Sequence, residues 1–297
     1  MNWEDFRHWG RRAADWAAEY HAGLRSQPVR AQVAPGAVLS ALPDMPPEGA
    51  EAMQAIFDDF EQTIMPGMTH WQHPRFFAYF PANAAPVSVL AEYFVSAIAA
   101  QCMLWQTSPA ATELETRVCD WMRQAIGLPD GFTGVIQDSA RSATLCAVLT
   151  MRERALDWQG NKAGLSGQPR LRVYCSAEVH TSVDRAIWIA GLGEENLVRI
   201  PTHGPTRAMD ADALRAAIAA DRAAGHQPAG IIACTGGTSA GASDDIAAVM
   251  DVAEAEGLYT HVDAAWAGSA MICPEFRSLW AGVERADSVV MNPHKWL

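Results

Sequence analysis

The chain has 297 residues, of which 49% are hydrophobic and 19% charged, a balance typical of folded globular proteins. Its formal net charge of −12 argues against a nucleic-acid interface or attachment to anionic lipid, since both need clustered Lys and Arg. No apolar run approaches the roughly 20 residues of a membrane-spanning helix, and the charged N-terminus lacks the apolar centre of a signal peptide. Six scattered cysteines indicate reduced thiols rather than disulfides or a metal site. We therefore expect a cytoplasmic protein that holds no metal.

The N-terminal segment is predicted to begin with an amphipathic helix. Trp3, Phe6, Trp16 and Tyr20 recur at near-helical spacing and give this helix an unusually aromatic face. Such a face either packs on its own domain or meets a partner subunit. We favour the partner subunit, because the helix would otherwise expose a large apolar patch.

The rest of this segment is predicted to be partly extended. Residues 26–49 are rich in Pro, Gly and Ala and indicate a connector, whereas residues 51–64 favour a second helix. The irregular stretch at 70–86 is strongly aromatic, which is typical of a loop that lines a pocket or an interface. Two further helical patterns follow, at 87–104 and 109–126.

A regular alternation of strands and helices begins after these helices. Short β-rich runs are found at 134–136, 171–175, 197–200, 230–234, 259–262 and 288–291, and helical patterns at 143–158, 209–224 and 244–256. This rhythm predicts an α/β fold, with a mainly parallel sheet covered by helices on both faces. Ligands of such sheets bind outside the carboxyl ends of the strands, so functional residues should follow the β-rich runs.

Asp263 and Lys295 each follow such a run and are candidates for cofactor chemistry. A buried carboxylate is costly unless a cation pairs with it, and a protonated pyridine nitrogen is such a cation. A helix cap or a metal ligand would also place Asp at a strand end. Desolvation lowers the pKa of a lysine, so that its neutral amine can attack an aldehyde, although Lys more often lies at the surface. The shared strand-end location favours the catalytic interpretation of Lys295.

Three other segments can surround the same ligand. At 134–144 a strand passes into a helix whose first N–H groups suit a phosphate, although plain N-capping by Ser139 or Ser142 would look much the same. The glycine-rich run at 236–241 lets backbone approach a ligand closely, but it is neither a Rossmann pattern nor a P-loop. His180 can stack on an aromatic ring, although a lone His is more often structural.

Together these segments resemble the group II pyridoxal-phosphate (PLP) dependent amino-acid decarboxylases, and most closely their aromatic-L-amino-acid decarboxylase branch. Asn-Pro-His-Lys-Trp at 292–296 and His-Val-Asp-Ala-Ala at 261–265 are specific signatures. Further agreement is found at 76–81, 108–115 and 268–275. The likeness therefore extends over essentially the whole chain.

The resemblance implies PLP fold type I, with an N-terminal segment (1–85) that embraces the other subunit of a homodimer and a PLP-binding large domain (86–297). It implies that Lys295 holds PLP as a Schiff base, that Asp263 pairs with the pyridine nitrogen, and that His180 stacks on the ring. The other implied cofactor contacts are Ser139, Ala140, Arg141, Thr238, Ala265, Asn292 and His294, and the implied substrate contacts are Trp71, Tyr79, Phe80 and Pro81.

The activity that the resemblance implies is decarboxylation of an aromatic L-amino acid to the corresponding amine and CO2. Members of the family continue beyond this lysine with the rest of the large domain, a small C-terminal domain, and a mobile loop whose Tyr donates a proton. We accordingly expect the chain to be an N-terminal portion without the small domain. By itself it is not expected to turn over substrate.

Two residues depart from the family pattern. Arg141 stands where a small Ser or Thr is usual beside the phosphate, so its guanidinium can pair with that group instead. Ala82 stands where animal members have a hydroxyl residue near the substrate ring, which puts a preference for catechols in doubt.

Two alternative functions stay open. The same scaffold can act on an acidic amino acid or release an aldehyde, although the implied aromatic lining, with Trp105, favours a flat apolar side chain. The other alternative is an inactive homologue that serves as a dimeric binding protein. The joint presence of Lys295, Asp263 and His180 argues against an inactive homologue.

Overall fold

Two units, Met1–Ala84 and Ala85–Leu297, make up the chain in the computed structural model. The structure describes residues 1–80 and 82–297, so Pro81, one of the predicted substrate contacts, lies outside the described residues. Among the described helices, none combines the length and the apolar character that crossing a bilayer requires.

The first unit begins with the predicted helix, α1 (Trp3–Gly23). Its N-cap is Asn2, whose side-chain oxygen accepts from the backbone N–H groups of Glu4 and Asp5 at 2.8 and 2.9 Å. In return the Asp5 carboxylate accepts from the Asn2 N–H at 3.2 Å, a capping box that satisfies donors left open by helix geometry. A short α2 (Ala37–Ala41) lies in the predicted connector. The predicted second helix consists of α3 (Met53–Asp59) followed by one π-helical turn (Phe60–Ile64).

The aromatic face of α1 packs partly within its own unit. The rings of Trp9 and Phe57 lie 5.9 Å apart, and those of Trp16 and Phe60 lie 5.0 Å apart. These contacts match the alternative that the face packs on its own domain. Trp3, at the start of the helix, is 77% exposed.

The second unit contains the predicted strands and helices. Its helices are α4 (Pro86–Ile98), α5 (Pro109–Ala125), α6 (Ala140–Ala155), α7 (Gln159–Ala163), α8 (Ser182–Ile189), α9 (Ala211–Ala223), α10 (Ile246–Glu256) and α11 (Pro293–Trp296). Its strands are β1 (Leu171–Ser176), β2 (Leu197–Ile200), β3 (Thr202–His203), β4 (Ala208–Met209), β5 (Gln227–Cys234), β6 (Tyr259–Asp263) and β7 (Ser288–Val290). Five of the six predicted strands are therefore confirmed.

Five strands form one sheet in the order β2-β1-β5-β6-β7, and each neighbouring pair is parallel. The chain passes from β1 outward to β2 and then returns to the other side of β1 as β5. The carboxyl ends of all five strands consequently lie at one edge of the sheet, with a switch in connection direction between β1 and β5. This is the place where ligands bind in such sheets.

Helices cover both faces of the sheet, and each face has its own apolar core. Along β5, Ile231 packs with residues of α9 and α10, whereas Ile232 packs with residues of α6 and α8. This alternation follows from the two-residue period of a strand. The predicted class, a mainly parallel sheet covered by helices, is confirmed.

Two of the predicted elements are wrong in part. Residues 134–136 do not form a strand, and this segment and β7 both line a cavity of 680 Å³. The N–H of Ile136 donates to the Glu115 carboxylate at 2.7 Å instead of to a neighbouring strand. The helix predicted over 87–104 ends at Ile98, where Ala99 adopts a left-handed backbone conformation with φ of 51° that stops helix propagation.

Gly230 in β5 is expected to be essential to the packing of α6 on the sheet. A Cβ added at Gly230 would lie 2.6 Å from the Met151 sulfur and 2.6 Å from the Tyr259 carbonyl oxygen. We expect Gly230→Ala to lower the free energy of unfolding by about 1–3 kcal/mol through overpacking, as measured by urea denaturation. Gly131→Ala is the control, because a Cβ there meets no described atom within 4 Å. Equal losses in both variants would contradict this account.

His261 is a buried titratable group in the middle of β6. The residue is 2% exposed, and its Nδ1 lies 2.8 Å from the hydroxyl oxygen of Ser288 in β7. Burial lowers the pKa of His261 to about 4, although the negative charge of Asp263 acts in the opposite direction. His261 is therefore neutral in the folded protein at neutral pH.

The pH dependence of stability should report this buried imidazole. The unfolded His261 takes up its proton near its usual pKa of 6.5, whereas the folded one does so at about 4. The neutral, buried His261 therefore contributes in full to the free energy of unfolding at a pH above its unfolded pKa. This contribution is lost as the pH falls towards the pKa of the folded protein, by up to about 1.4 kcal/mol per pH unit. Urea unfolding at neutral and at mildly acidic pH should show a shallower loss for His261→Gln than for the parent. An identical slope in both proteins would contradict a neutral buried His261.

Candidate active site

The predicted cofactor residues of the second unit follow the carboxyl ends of four strands. His180 follows β1, Thr238 follows β5, Asp263 ends β6 and Lys295 lies in α11 just after β7. Backbone hydrogen bonds join three of these strand ends: Thr235 N–H to Asp263 C=O (2.9 Å), Ala264 N–H to Val290 C=O (3.0 Å), and Asn292 N–H to Ala265 C=O (3.1 Å). The sheet thus fixes the backbone that carries Asp263 and Lys295.

Asp263 is a buried carboxylate, 9% exposed. One of its oxygens accepts from the N–H of Ala265 at 3.1 Å. Its charge raises the pKa values of His180 and Lys295, although burial dominates in both. A buried carboxylate suits a cationic ligand group, and the protonated pyridine nitrogen of PLP is such a group.

Lys295 is one of only two lysines in the sequence, the other being Lys162. Lys162 is exposed in α7, whereas Lys295 is half-buried. Burial lowers the pKa of Lys295, and the charge of Asp263 opposes that shift. The neighbouring Trp296 stacks on Trp266, with ring centroids 4.9 Å apart, which anchors α11. A lowered pKa increases the fraction of neutral amine, the form that attacks an aldehyde.

His180 lies between β1 and α8 and is half-buried. Its Nδ1 accepts the backbone N–H of Ser182 at 3.1 Å, so the neutral ring carries its proton on Nε2. Burial lowers the pKa of His180. The charge of Asp263 opposes this shift, and those of Lys295 and Arg141 add to it. A neutral, oriented imidazole is compatible with the predicted stacking role.

The segment predicted to hold a phosphate is the start of α6. Ser139 is the N-cap, and its hydroxyl accepts the N–H of Ser142 at 3.3 Å, so the N-capping interpretation is correct for this side chain. The first N–H groups of a helix, here those of Ala140 and Arg141, have no partner within the helix and favour an anion. Arg141 is exposed, and its positive charge is felt at His180. This helix end therefore carries an additional cation beside the backbone donors.

The glycine-rich loop after β5 has a mainly structural explanation. Gly236 adopts a φ of 75°, and a Cβ there would collide with the Cβ of Ala267. The loop is held by Asp244, which is 3% exposed and accepts the N–H groups of Cys234 and Met209, each at 2.7 Å. Its small residues thus allow close packing within the protein. Thr238, the predicted cofactor contact, lies exposed on this loop.

The remaining predicted cofactor contacts lie close to these residues in the chain. Ala265 is half-buried, and its N–H donates to Asp263. Asn292 is the N-cap of α11, within which His294 is exposed.

Three of the predicted substrate contacts, Trp71, Tyr79 and Phe80, belong to the first unit and cluster there. The ring of Trp71 lies 5.5 Å from that of Tyr79 and 5.1 Å from that of Phe80. Tyr79 adopts a φ of 58° and is 80% exposed. A non-glycine residue in this backbone region is uncommon and frequently marks a functional site.

Sequence reasoning overlooked His261 and Asp244. His261 precedes Asp263 by two residues in a strand, so both side chains lie on the same face of the sheet, and this spacing is the signal that was available. Asp244 follows a glycine-rich loop, where an Asp is more often a cap or turn residue. Its buried position depends on the folded loop.

Comparison with known proteins adds independent support. Residues 35–297 match the family model described as the pyridoxal-dependent decarboxylase conserved domain. The chain is 40% identical to tryptophan decarboxylase 2 of Oryza sativa subsp. japonica and 39% identical to phenylacetaldehyde synthase of Arabidopsis thaliana, in each case over 100% of its own length. It covers 60% and 61% of these two relatives.

A solved structure shows the same fold. All of the chain superposes on 64% of an Oryza sativa tryptophan decarboxylase crystallised with PLP and tryptamine, with a TM-score of 0.93 and 36% sequence identity. This likeness confirms the expected PLP fold type I, and the family match confirms the resemblance found in the sequence. The chain belongs to the pyridoxal-dependent decarboxylase family.

Proposed function

We propose that the protein is a PLP-dependent carboxy-lyase that converts an aromatic L-amino acid into the corresponding amine and CO2. The observation that carries this proposal is the pair formed by Lys295, a half-buried lysine with a lowered pKa, and Asp263, a buried carboxylate whose charge acts on that lysine. The family to which the chain belongs supports PLP as the cofactor. A relative named tryptophan decarboxylase supports an aromatic amino acid as the substrate.

Different residues of the second unit are proposed to hold different parts of the cofactor. When bound, PLP supplies an electron sink for the electron pair of the breaking bond between Cα and the carboxylate. Lys295 Nζ, in its neutral form, would hold the cofactor, and the Asp263 carboxylate would keep a proton on the ring nitrogen. His180, oriented through its Nδ1, and Ala265 would both contact the ring. The phosphate contacts are Ser139, Ala140, Arg141, Asn292 and His294, with Thr238 nearby.

The aromatic residues of the first unit are proposed to recognise the substrate. Trp71, Tyr79 and Phe80 form an aromatic cluster, which favours a flat apolar side chain over a carboxylate. An aldehyde product is the second candidate, because one relative is named phenylacetaldehyde synthase.

We further propose that the protein is a cytoplasmic homodimer. Its six cysteines are all free, as is usual in a reducing compartment. Several apolar side chains of α4 are exposed, among them Val87 (73%), Phe94 (61%) and Ile98 (72%), and apolar patches of this kind favour subunit contacts. In this proposal residues 1–85 embrace the second subunit and residues 86–297 form the PLP-binding large domain.

The presence of only two lysines allows the attachment site to be tested directly. After the PLP-loaded protein is reduced with borohydride, peptide mapping should find the pyridoxyl group on Lys295 and not on Lys162. Lys295→Ala should abolish the visible absorption of bound PLP, whereas the control Lys162→Ala should retain it. Turnover is assayed on a protein that also contains the C-terminal part expected from the family, with Trp, Tyr, Phe, DOPA and Glu as substrates, and CO2, amine and aldehyde are each quantified.

The outcomes separate the competing functions. Amine and CO2 in equal amounts from an aromatic substrate support the proposal, whereas aldehyde supports the second candidate. Turnover of Glu alone would favour the alternative of an acidic substrate. A purified protein that shows no PLP absorption would overturn the enzyme proposal and favour a dimeric binding protein.

Arg141 provides a test of the phosphate site. Arg141→Ser should weaken PLP binding by about tenfold, the usual effect of losing a charge-assisted hydrogen bond, as measured by titrating the apoprotein and following absorbance. Binding of pyridoxal, which lacks the phosphate, should not change. Arg215→Ser, which removes an exposed guanidinium from α9, is the control. Equal weakening for PLP and pyridoxal would argue against a phosphate contact.

A further inference from the structure

His73 is a buried histidine of the aromatic loop at residues 70–80, and both of its ring nitrogens are hydrogen-bonded. The residue is 3% exposed. Its Nδ1 accepts the backbone N–H of Arg75 at 3.0 Å, and its Nε2 lies 3.2 Å from the carbonyl oxygen of Arg25. A ring that accepts at Nδ1 carries its proton on Nε2, so it donates that proton to the carbonyl. One side chain thus joins the loop to the segment that directly follows α1.

Two consecutive backbone turns share His73. Its N–H donates to the carbonyl oxygen of His70 at 3.0 Å, and its carbonyl oxygen accepts the N–H of Phe76 at 2.8 Å. Its ring accepts the N–H of Arg75, two residues further along the chain. Asn and Asp side chains fix tight turns by the same pattern. The ring of His73 therefore constrains the backbone of the second turn as well as its attachment to the rest of the unit.

These turns set the spacing of the aromatic rings. Trp71 lies within the first turn and Phe76 ends the second, and their rings stack with centroids 4.9 Å apart. Trp71 also stacks on Tyr79, with centroids 5.5 Å apart and planes inclined by 15°. Because Tyr79 is 80% exposed, its position depends on this stack more than on burial. The arrangement of the cluster consequently follows from the conformation of the two turns.

His70 attaches the beginning of the same loop. It is 4% exposed, its N–H donates to the carbonyl oxygen of Val29 at 3.0 Å, and its Nδ1 lies 2.8 Å from the hydroxyl oxygen of Tyr20 in α1. The loop is therefore held at its start by His70 and at its bend by His73. Of these two imidazoles, that of His73 is bonded within the turn that orients the rings.

We infer that His73 is a positioning residue for substrate recognition: its ring holds the turns at 70–76 in the conformation that brings Trp71 and Tyr79 together. This inference rests on the proposed function, in which these aromatic side chains recognise the substrate. His73 is buried and touches neither substrate nor cofactor in this account. Its removal should raise the KM for an aromatic substrate without weakening the binding of PLP, which is assigned to residues of the second unit.

Three substitutions of His73 separate its two hydrogen bonds. His73→Leu removes both of them. His73→Asn keeps an acceptor at the position of Nδ1, whereas His73→Gln keeps a donor near the position of Nε2. His203→Leu is the matched control, because His203 is exposed in β3 of the second unit.

Kinetics are measured on a PLP-loaded protein that also contains the C-terminal part expected from the family. We expect His73→Leu to raise the KM for Trp or Tyr by about tenfold, the usual effect of leaving buried hydrogen-bonding groups without a partner. The Asn and Gln variants should each raise this KM less, and His203→Leu should leave it unchanged. The affinity for PLP should equal that of the parent in all four variants.

A second measurement reports the aromatic cluster directly and needs no turnover. Near-ultraviolet circular dichroism depends on the fixed packing of aromatic rings, so the difference between the spectra of the parent and of Trp71→Phe reports the surroundings of Trp71. We expect this difference to become smaller when both proteins also carry His73→Leu, and to be retained when both carry His203→Leu. Thermal unfolding of every variant accompanies these spectra. The Asn and Gln variants keep the test decisive where His73→Leu does not fold.

The outcomes distinguish positioning from a general effect on folding. A raised KM with an unchanged PLP affinity and a smaller Trp71 difference supports the positioning role. An unchanged KM overturns it, as does a KM that rises only together with weaker PLP binding and a lower melting temperature. A parent that turns over no aromatic substrate, while its Trp71 difference still depends on His73, would contradict the proposed function but support the anchoring of the cluster by His73.

Discussion

The carboxylate of Asp263 is buried at the carboxyl edge of a parallel sheet, where one backbone N–H is its hydrogen-bond donor among the described contacts. A charge in such a place is unfavourable until a cation or further donors compensate it. The surrounding features can be understood from this requirement. Lys295 and His180 both have lowered pKa values because of burial, and the charge of Asp263 opposes that shift in each. The negative charge of Asp263 is thus the feature that Lys295 and His180 share.

The sheet fixes the backbone positions of the residues around the Asp263 carboxylate. Because β5, β6 and β7 are joined by backbone hydrogen bonds at their carboxyl ends, the strand that carries Asp263 and the turn that leads to Lys295 cannot move independently. Packing beneath the site reinforces the arrangement, as Gly230 leaves room for Met151 of α6. The glycine-rich loop is similarly held by Asp244. Its small residues serve this packing more than direct ligand contact.

Much of the second unit could be predicted from sequence because its strands are short apolar runs bounded by turns, and both Asp263 and Lys295 follow such runs. The segment at 134–136 has the same composition, but a strand exists only where a neighbour completes its hydrogen bonds, and sequence does not reveal that neighbour. The end of α4 at Ile98 depends on the backbone of Ala99, for which alanine gives no signal. The burial of His261 is likewise visible only once the fold surrounds this residue.

Scarcity of lysine has a chemical consequence beyond the site. The chain contains twenty arginines and two lysines, and a guanidinium stays protonated at physiological pH, so it is not a nucleophile. Reactive carbonyl compounds condense with free amines wherever they meet them. A surface whose positive charge comes almost entirely from arginine offers them few sites for adventitious modification. In this chain solubilising positive charge and reactivity towards carbonyl compounds therefore belong to different residue types, and the side-chain amines that can react with a carbonyl are those of Lys162 and Lys295.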